Sequence, residues 1–350
     1  MGTDEKYMRR CLELAAQGLG SVAPNPMVGS VIVHQGRIIG EGWHQRYGEA
    51  HAEVNAIAAV QEKNLLSGSC LYVNLEPCAH FGKTPPCADL IIRTGIPEVV
   101  IGSIDPFAQV SGKGIEKLVK AGIRVRTGVL ETECRELNRR FFTFQEQKRP
   151  YIILKWAETA DRFMDRIRTF GSGEAPLQIS SAPSLQLLHQ WRSEEQAILI
   201  GTHTALLDNP RLTVRERQGK NPLRIVLDPM NRIPASFHLK DGTTPTLVIT
   251  AQPMGSSHNL EYATLSFQSE TEILYELASL LCERNIQSVL VEGGARLLQS
   301  FFRAGLWDET RVFRSEIRLE KGLSAPPLPD VSYLTYSSGT DALCIYRKQP

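Results

Sequence analysis

Two successive α/β domains are what the sequence predicts, one over residues 1–148 and one over residues 149–350. Three observations carry that prediction. The chain has 350 residues, and at roughly 100–200 residues per domain that length suits two. Short apolar runs of strand length alternate with stretches of helical period, in two series. Between the series stands Lys148-Arg149-Pro150, a charged break closed by a residue that cannot continue a helix.

The elements follow in order. Asp4–Leu19 places Met8, Leu12, Ala15 and Leu19 on one helical face. Val28–Val33 and Arg37–Glu41 read as strands joined by a turn at Gln35-Gly36. Ala-rich Ala50–Gln61 suits a helix, Cys70–Asn74 a buried strand, and Cys87–Thr94 a helix stopped by Gly95. Glu98–Ile104 is a strand, Gly114–Ala121 a helix closed by Gly122, and Ile123–Thr127 a strand. Leu130–Gln147 reads as one charged, amphipathic helix. The second series runs strand Tyr151–Trp156, helix Ser184–Trp191 and strand Ala197–Gly201. Strands Leu223–Asp228 and Thr246–Thr250, helix Ile273–Asn285, strand Ser288–Glu292 and helix Ala295–Ala304 complete it. Ala325-Pro326-Pro327-Leu328-Pro329 reads as a loop, and the residues after it carry no assigned role.

Composition excludes several functions. Lysine and arginine number 39 against 38 aspartate and glutamate, a formal net charge of +1. The chain lacks the positive field of a nucleic-acid binder, so no nucleic-acid partner is expected. The apolar runs are short and broken by charge or glycine, so no membrane span is expected. Met1–Arg10 is polar and holds no signal-peptide core. Seven cysteines, an odd number in a large chain, favour reduced thiols and a cytoplasmic setting.

Chemistry concentrates in His51-Ala52-Glu53 and in Pro77-Cys78, followed after eight residues by Cys87. One imidazole and two thiolates make a three-ligand zinc site with the fourth position open to water, as catalytic zinc requires. Bound zinc brings the pKa of water to about 7. Glu53, two residues from His51 near a helix start, can face the open position and shuttle protons without being a ligand. Taken singly, these residues read as a surface histidine and small core thiols. Their combination is the pattern of the zinc deaminases, in which hydroxide displaces an exocyclic amine from a base-like ring.

Further motifs narrow this. Ala23-Pro24-Asn25-Pro26-Met27-Val28-Gly29, Gly42-Trp43-His44, His51-Ala52-Glu53, Glu76-Pro77-Cys78 with Cys87 after eight further residues, Asp105-Pro106 and Gly112-Lys113-Gly114 together resemble the riboflavin-biosynthesis deaminases over about residues 4–145. The resemblance implies a cytidine-deaminase-like three-layer α/β/α fold. It implies one zinc per chain on His51, Cys78 and Cys87, with Glu53 as the catalytic proton carrier. Its substrate is a small pyrimidine ribosylamine phosphate, deaminated at C2. Asn25 and His44 would line the ring pocket, and Lys83 and Lys113 are candidate phosphate contacts. His80 reads either as a substrate neighbour or as a loop stabiliser. Phe107 stands where the family often has Asn.

In the second half, Ser288–Glu292 runs into Gly293-Gly294 and then a helix. Such a turn admits a phosphate to backbone N–H groups, and it also occurs as a plain tight turn. Lys155-x-Ala157-x-Thr159-x-Asp161, Arg192, Gly201-x-x-Thr204, Asp208-Asn-Pro-Arg-Leu212-Thr-Val-Arg215, Arg224–Asp228 and Glu292-Gly293-Gly294 resemble the riboflavin-pathway reductases over about 151–315. The resemblance implies a dihydrofolate-reductase-like α/β fold and NADPH as cofactor. Lys155, Arg192, Leu212, Arg215 and Glu292 would line the substrate site. Ala157, Thr204, Asp208 and the run Gly294, Ala295, Arg296, Leu297, Leu298, Gln299, Ser300 would line the NADPH site. Arg296 is the basic residue near the glycines suggestive of NADPH over NADH.

Two positions depart from that family. Arg162 stands where Gly is usual, and would be costly if the backbone there has φ > 0. Pro176-Leu177-Gln178 stands where Ser-x-Trp is usual. The expectation is a bifunctional deaminase and reductase, assembled as a homo-oligomer. The departures favour an alternative, a deaminase whose C-terminal half is structural or oligomerising. A deaminase of flipped bases in RNA or DNA is a third reading, which the charge balance opposes.

Overall fold

The computed structural model describes residues 2–79, 85–107, 110–328 and 330–348. They divide into two units, Met1–Lys148 and Arg149–Pro350.

The first unit contains α1 (Thr3–Ala16), β1 (Gly29–His34), β2 (Arg37–Trp43), α2 (Ala52–Ala59), β3 (Ser69–Leu75) and α3 (Cys87–Thr94). It continues with β4 (Glu98–Ser103), α4 (Lys113–Lys120), β5 (Arg124–Arg126), α5 (Glu131–Leu137) and α6 (Arg139–Gln147). Among the described residues the strands form one sheet in the order β2-β1-β3-β4-β5. β1 is antiparallel to β2 and β3, and β3, β4 and β5 are parallel. Side chains alternate between faces along each strand. Ile32, Leu71, Val73, Val99 and Ile101 meet α2, α3 and α4 through Ala56, Ile91 and Leu118. Val31, Val33, Tyr72 and Val100 meet α1 and α5 through Met8, Cys11 and Cys134 on the other face. The result is three layers, α/β/α. Leu71, Ile91 and Ile101 are fully buried, and truncating any one to Ala would cost about 2–5 kcal/mol.

The single helix expected over Leu130–Gln147 is broken at Asn138, whose backbone leaves the helical region at ψ 21°. Its side chain is the cause. Asn138 Oδ1 accepts from the Met27 N–H at 2.8 Å, and its Nδ2 donates to the Met27 carbonyl at 2.8 Å. The buried amide serves as a backbone partner for the Met27 loop, which hydrophobic periodicity cannot reveal.

The second unit opens with β6 (Tyr151–Glu158), β7 (Phe163–Asp165), α7 (Ala182–Glu194), β8 (Ala197–Gly201), α8 (Thr202–Asp208) and β9 (Leu223–Leu227). β10 (Thr246–Thr250), β11 (Leu260–Thr264), α9 (Glu272–Glu283), β12 (Ser288–Gly293) and α10 (Ala295–Arg303) follow. The remaining strands are β13 (Glu309–Arg314), β14 (Leu323–Ser324), β15 (Tyr333–Ser338) and β16 (Asp341–Arg347). The large sheet has the order β11-β10-β9-β8-β12-β6-β13-β16-β15. It is parallel from β11 to β13, and β16 and β15 add an antiparallel hairpin. The unassigned C-terminal residues therefore extend the sheet. β8 and β12 are buried along nearly their whole length, as central parallel strands covered on both faces must be. α9 and α10 cover one face, and α7 covers the other through Leu188 and Trp191.

Arg162 adopts the left-handed conformation, φ 69°. It closes a turn in which the Arg162 N–H donates to the Thr159 carbonyl and the Phe163 N–H to Thr159 Oγ1, at 2.9 and 3.0 Å. Arg162 Nη2 also donates to the Pro326 carbonyl at 3.2 Å, so the Pro-rich loop packs on this turn. A side chain at such φ costs about 1–2 kcal/mol, and a glycine gives part of that back to the flexible unfolded chain. Arg162→Gly is expected to stabilise the second unit by about 0.5–1 kcal/mol, with the lost Pro326 bond setting the lower end. An unchanged or lower urea midpoint would show that the Arg162 side chain outweighs its backbone.

Candidate active sites

The first site forms where two helices begin beside the sheet. His51 is the residue before α2, Cys87 is the first residue of α3, and Cys78 follows β3. α2 packs on β1 and β2, which fixes His51 against the sheet. The Cys87 and Ala88 N–H groups donate to Cys78 Sγ and the Cys78 carbonyl, at 3.3 and 3.1 Å, which fixes the two cysteines together. His51 Nδ1 lies 3.6 Å from Cys78 Sγ and 3.3 Å from Cys87 Sγ. Nitrogen and sulfur on a tetrahedral zinc stand about 3.6 Å apart, so the donor set fits that ion. Cys78 is pushed down to about 4 by a hydrogen bond from the Cys87 thiol, with His51 helping. Cys87 is pushed up by sharing that proton and by burial. A dication among the three would displace the proton and neutralise the thiolates.

Glu53 lies in the first turn of α2 and is only 3% exposed. Burial raises its carboxyl pKa, opposed by His51, and the Cys87 thiol is within hydrogen-bonding reach. His44 is buried against His51 in an edge-on contact with ring centroids 5.4 Å apart. Its Nδ1 lies 3.0 Å from the Ala50 carbonyl, which can only accept, so Nδ1 carries the proton. Nε2 then accepts from Asn25 Nδ2 at 3.1 Å. Burial lowers the His44 pKa, which keeps the ring neutral. Asn25, His44, His51, Glu53, Cys78 and Cys87 are thus brought together. Lys83 and His80 lie outside the described residues.

Sequence reasoning quoted Glu76 as part of a motif but assigned it no role. Glu76 is buried, and its carboxylate accepts from the backbone N–H groups of Asp105, Gly112, Gly114 and Ile115 at 2.9–3.3 Å. It caps α4 from a distance, since Gly112 has no side chain with which to do so. A Cβ on Gly114 would lie 2.0 Å from the Pro77 carbonyl, which accounts for glycine there. The helix N-terminus is occupied by this carboxylate, so the phosphate reading of the segment rests on the exposed Lys113 side chain alone. Asp105, beside it, is pushed up to about 7 by burial, even with its Oδ1 accepting the Phe107 N–H at 2.8 Å.

In the second unit a cleft of about 790 Å³ opens at the carboxyl ends of β6, β8, β9 and β12. This is where open parallel sheets bind ligands. Lys155, Ala157 and Glu292 form its floor. Thr204, Asp208, Gly294, Ala295, Arg296, Leu297 and Ser300 supply its walls. Gly294 precedes α10, and a Cβ there would press on Thr204 Oγ1 at 3.0 Å. Only the bare backbone leaves room for a group at that helix N-terminus, so the turn fits a dinucleotide's phosphates.

Several expected positions are corrected. Leu298 is fully buried in the core beneath the sheet, and Gln299 does not line the cleft. Leu212 is 3% exposed, with its side chain in a core cluster and its backbone left-handed at φ 53°. Arg192 does not offer its fork to a phosphate. Its Nε and Nη2 donate to the two Glu292 oxygens at 2.8 and 2.7 Å, and Nη1 to the Thr213 carbonyl at 3.3 Å. Burial would raise the Glu292 pKa, but Arg192 and Lys155 outweigh it and hold the carboxylate ionised. Burial in turn lowers Lys155. Arg215 is exposed, and its N–H donates to His189 Nδ1 at 3.2 Å. Partial desolvation of its guanidinium and repulsion from Arg192 and Arg211 lower its pKa, so a cationic cluster stands beside Glu292. Arg168 was also missed: it is buried in the cleft wall and holds Asp165 and Asp208 at 2.7 and 2.5 Å.

Residues 1–103 match the family described as the cytidine and deoxycytidylate deaminase zinc-binding region, and residues 150–315 match the RibD C-terminal domain. The chain is similar to the riboflavin biosynthesis protein RibD of Aquifex aeolicus, 43% identical over 324 residues, 92% of this chain and 89% of that one. The RibD protein of Bacillus amyloliquefaciens is 41% identical over 93% of this chain and 87% of its own length. A solved structure from Thermotoga maritima superposes with a TM-score of 0.88 at 37% identity, covering 99% of this chain and 98% of that one. That protein is a diaminohydroxyphosphoribosylaminopyrimidine deaminase and 5-amino-6-(5-phosphoribosylamino)uracil reductase. This chain belongs to the riboflavin biosynthesis protein RibD family, with a zinc-binding deaminase region and a reductase region in one polypeptide.

Proposed function

We propose that the first unit deaminates the diaminopyrimidinone ribosylamine phosphate and that the second reduces the ribosyl group of the product to ribityl. The observation that carries the first step is the convergence of half-buried His51 and Cys78 with buried Cys87, and buried, non-ligand Glu53 beside them. Bound zinc supplies the Lewis acidity that makes hydroxide available near neutral pH. Glu53 takes one proton of the attacking water and passes it to the ring nitrogen beside C2, then takes the second from the hydroxyl added at C2 and gives it to the departing amine, so that water and an amine become a carbonyl and ammonia. His44 and Asn25 hold the ring against His51, and Lys83 and Lys113 meet the phosphate.

In the second unit NADPH, when bound, supplies a hydride for C1′ of the sugar. The Gly294 turn and α10 hold its phosphates, with Thr204, Asp208 and Ala157 along the same cleft. Lys155 and Glu292 face the sugar. Arg192 keeps Glu292 ionised and oriented, and Arg215 with Arg211 meets the substrate phosphate. No disulfide joins the cysteines among the described residues, which fits a reducing, cytoplasmic compartment. Among the described residues no helix is long and apolar enough to cross a membrane.

The test is sequential. Zinc-loaded protein given the diaminopyrimidine phosphate is expected to release ammonia, and then to oxidise NADPH in equal amount. Ammonia without NADPH oxidation would return the C-terminal half to a structural role.

A further inference from the structure

The basic side chains of the reductase cleft are not equivalent. Lys155 faces Glu292. Arg168 is held by Asp165 and Asp208. Arg296, the residue nearest the glycine turn, is paired with Glu270, and its side chain is 85% exposed. Arg166, Arg232 and His203 also line the cleft, and none of their side chains has an acidic partner among the described residues.

The positions of His203 and Arg232 are linked. β8 and β9 run parallel, with Gly201 paired to Leu227, so His203 and Arg232 leave the sheet at the same end. Buried Asp228 joins the two segments. Its carboxylate accepts from the Arg232 and Ile233 N–H groups at 3.0 and 2.9 Å, and it lies 3.3 Å from Thr202 Oγ1. Thr202 Oγ1 also donates to the Leu227 carbonyl at 2.5 Å. The residue beside Thr202 and the residue that Asp228 anchors thus present two cationic or hydrogen-bonding side chains from one rigid platform.

The platform lies on a definite side of the glycine turn. β12, which leads into Gly294, has β6 on one side and β8, then β9, on the other. β9 is therefore two strand spacings, about 10 Å, from β12. A dinucleotide with its pyrophosphate at the α10 N-terminus and its nicotinamide over Lys155 and Ala157 on β6 extends its adenosine half over β8 and β9. An unpaired cation there matches a dianionic phosphomonoester on the adenosine ribose, and it meets nothing ionic in a nucleotide lacking that group.

We propose that Arg232, assisted by His203, forms the 2′-phosphate subsite and selects NADPH over NADH. The proposal rests on the NADPH reading of the cleft given above. It takes the place of Arg296 as the selecting residue, because Arg296 is 85% exposed and is drawn toward Glu270, a carboxylate it shares with Arg303.

The test is titration calorimetry of the full-length, zinc-loaded protein with NADPH, NADH and 2′,5′-ADP, which needs no turnover. Arg232→Ala is expected to weaken NADPH and 2′,5′-ADP by about 10- to 100-fold and NADH by less than about twofold, the loss of one charge-assisted contact. His203→Gln is expected to weaken NADPH selectively but less, and Arg232→Lys to recover part of the affinity. Arg232 is exposed, so these variants are not expected to disturb folding. Equal weakening of NADPH and NADH by Arg232→Ala would make the residue a wall of the cleft and overturn the proposal. So would unchanged binding, or a selective loss produced by Arg166→Ala instead. Wild-type protein that binds neither nucleotide would overturn the NADPH reading itself, a different failure from one confined to Arg232.

Discussion

Glu53→Gln is expected to keep one zinc per chain and to lose deamination by about 10²- to 10⁴-fold, the usual contribution of a positioned proton carrier. Glutamine has nearly the same shape, so α2 and His51 stay in place. It cannot accept a proton from water or deliver one to the ring. Retention of zinc follows because His51, Cys78 and Cys87 by themselves form the donor set. The second unit does not contain this residue, so NADPH oxidation with the already deaminated substrate is expected at the parental rate. Metal analysis, ammonia release and NADPH absorbance read the three quantities separately. Zinc lost together with activity would put Glu53 among the ligands, and deamination retained would assign proton transfer to another group. A stability effect accompanies the catalytic one in the metal-free protein. The folded-state pKa of Glu53 is raised by burial. Between the unfolded and folded values the native state therefore binds more protons, and stability falls as pH rises through that window. Glutamine carries no such penalty, so the metal-free variant is expected to exceed the parent in stability above the window and to match it below.

Why some of this was legible in the sequence and some was not has physical reasons. The zinc site was legible because a metal demands particular donor atoms, and His51, Glu53, Cys78 and Cys87 lie within one short stretch whose flanking Pro77 and helix starts restrict the geometry. Strand-length runs such as Val31–Val33 and Leu71–Val73, alternating with helical stretches, already implied an α/β unit, and the three layers followed from the resemblance. The role of Glu76 stayed hidden because its partners are backbone N–H groups from 29 to 39 residues further on, which no side-chain pattern announces. Arg192 was read as lining the substrate site because resemblance locates a residue but not the direction of its guanidinium. Its partner Glu292 lies 100 residues away. Leu212 and Leu298 failed for a related reason: they lie beside functional residues while their side chains fill the core. β13 buries Glu309 and Arg311 between β6 and β16, and the edge strand β15 is exposed along nearly its whole length, so neither has an apolar pattern strong enough to read, although Gly339 at φ 63° marks the turn between β15 and β16.

Glu76→Ala is expected to be the most destabilising single change at the deaminase site outside the metal ligands, at about 3–5 kcal/mol. The carboxylate serves four N–H groups, and a buried donor left without a partner costs about 1–3 kcal/mol. Partial entry of water offsets some of the sum, and loss of the α4 cap adds about 1 kcal/mol. The consequence reaches the metal through the backbone. Glu76 and Pro77 lead directly into Cys78, and Gly114 is packed on the Pro77 carbonyl. Releasing the 105–115 segment removes the support that fixes Cys78 against Cys87 and His51. Zinc is therefore expected to be lost to a competing chelator far more readily, with deamination falling in parallel, while NADPH oxidation on the deaminated substrate persists. Glu76→Gln should lie between the two proteins, because one amide oxygen still accepts while the NH₂ faces donors it cannot satisfy. Urea midpoints and chelator competition on the same samples separate stability from metal affinity. A Glu76→Ala protein with the parental midpoint and parental zinc retention would mean that the four N–H groups are satisfied by water. The carboxylate would then be an ornament of the fold rather than the brace of its metal site.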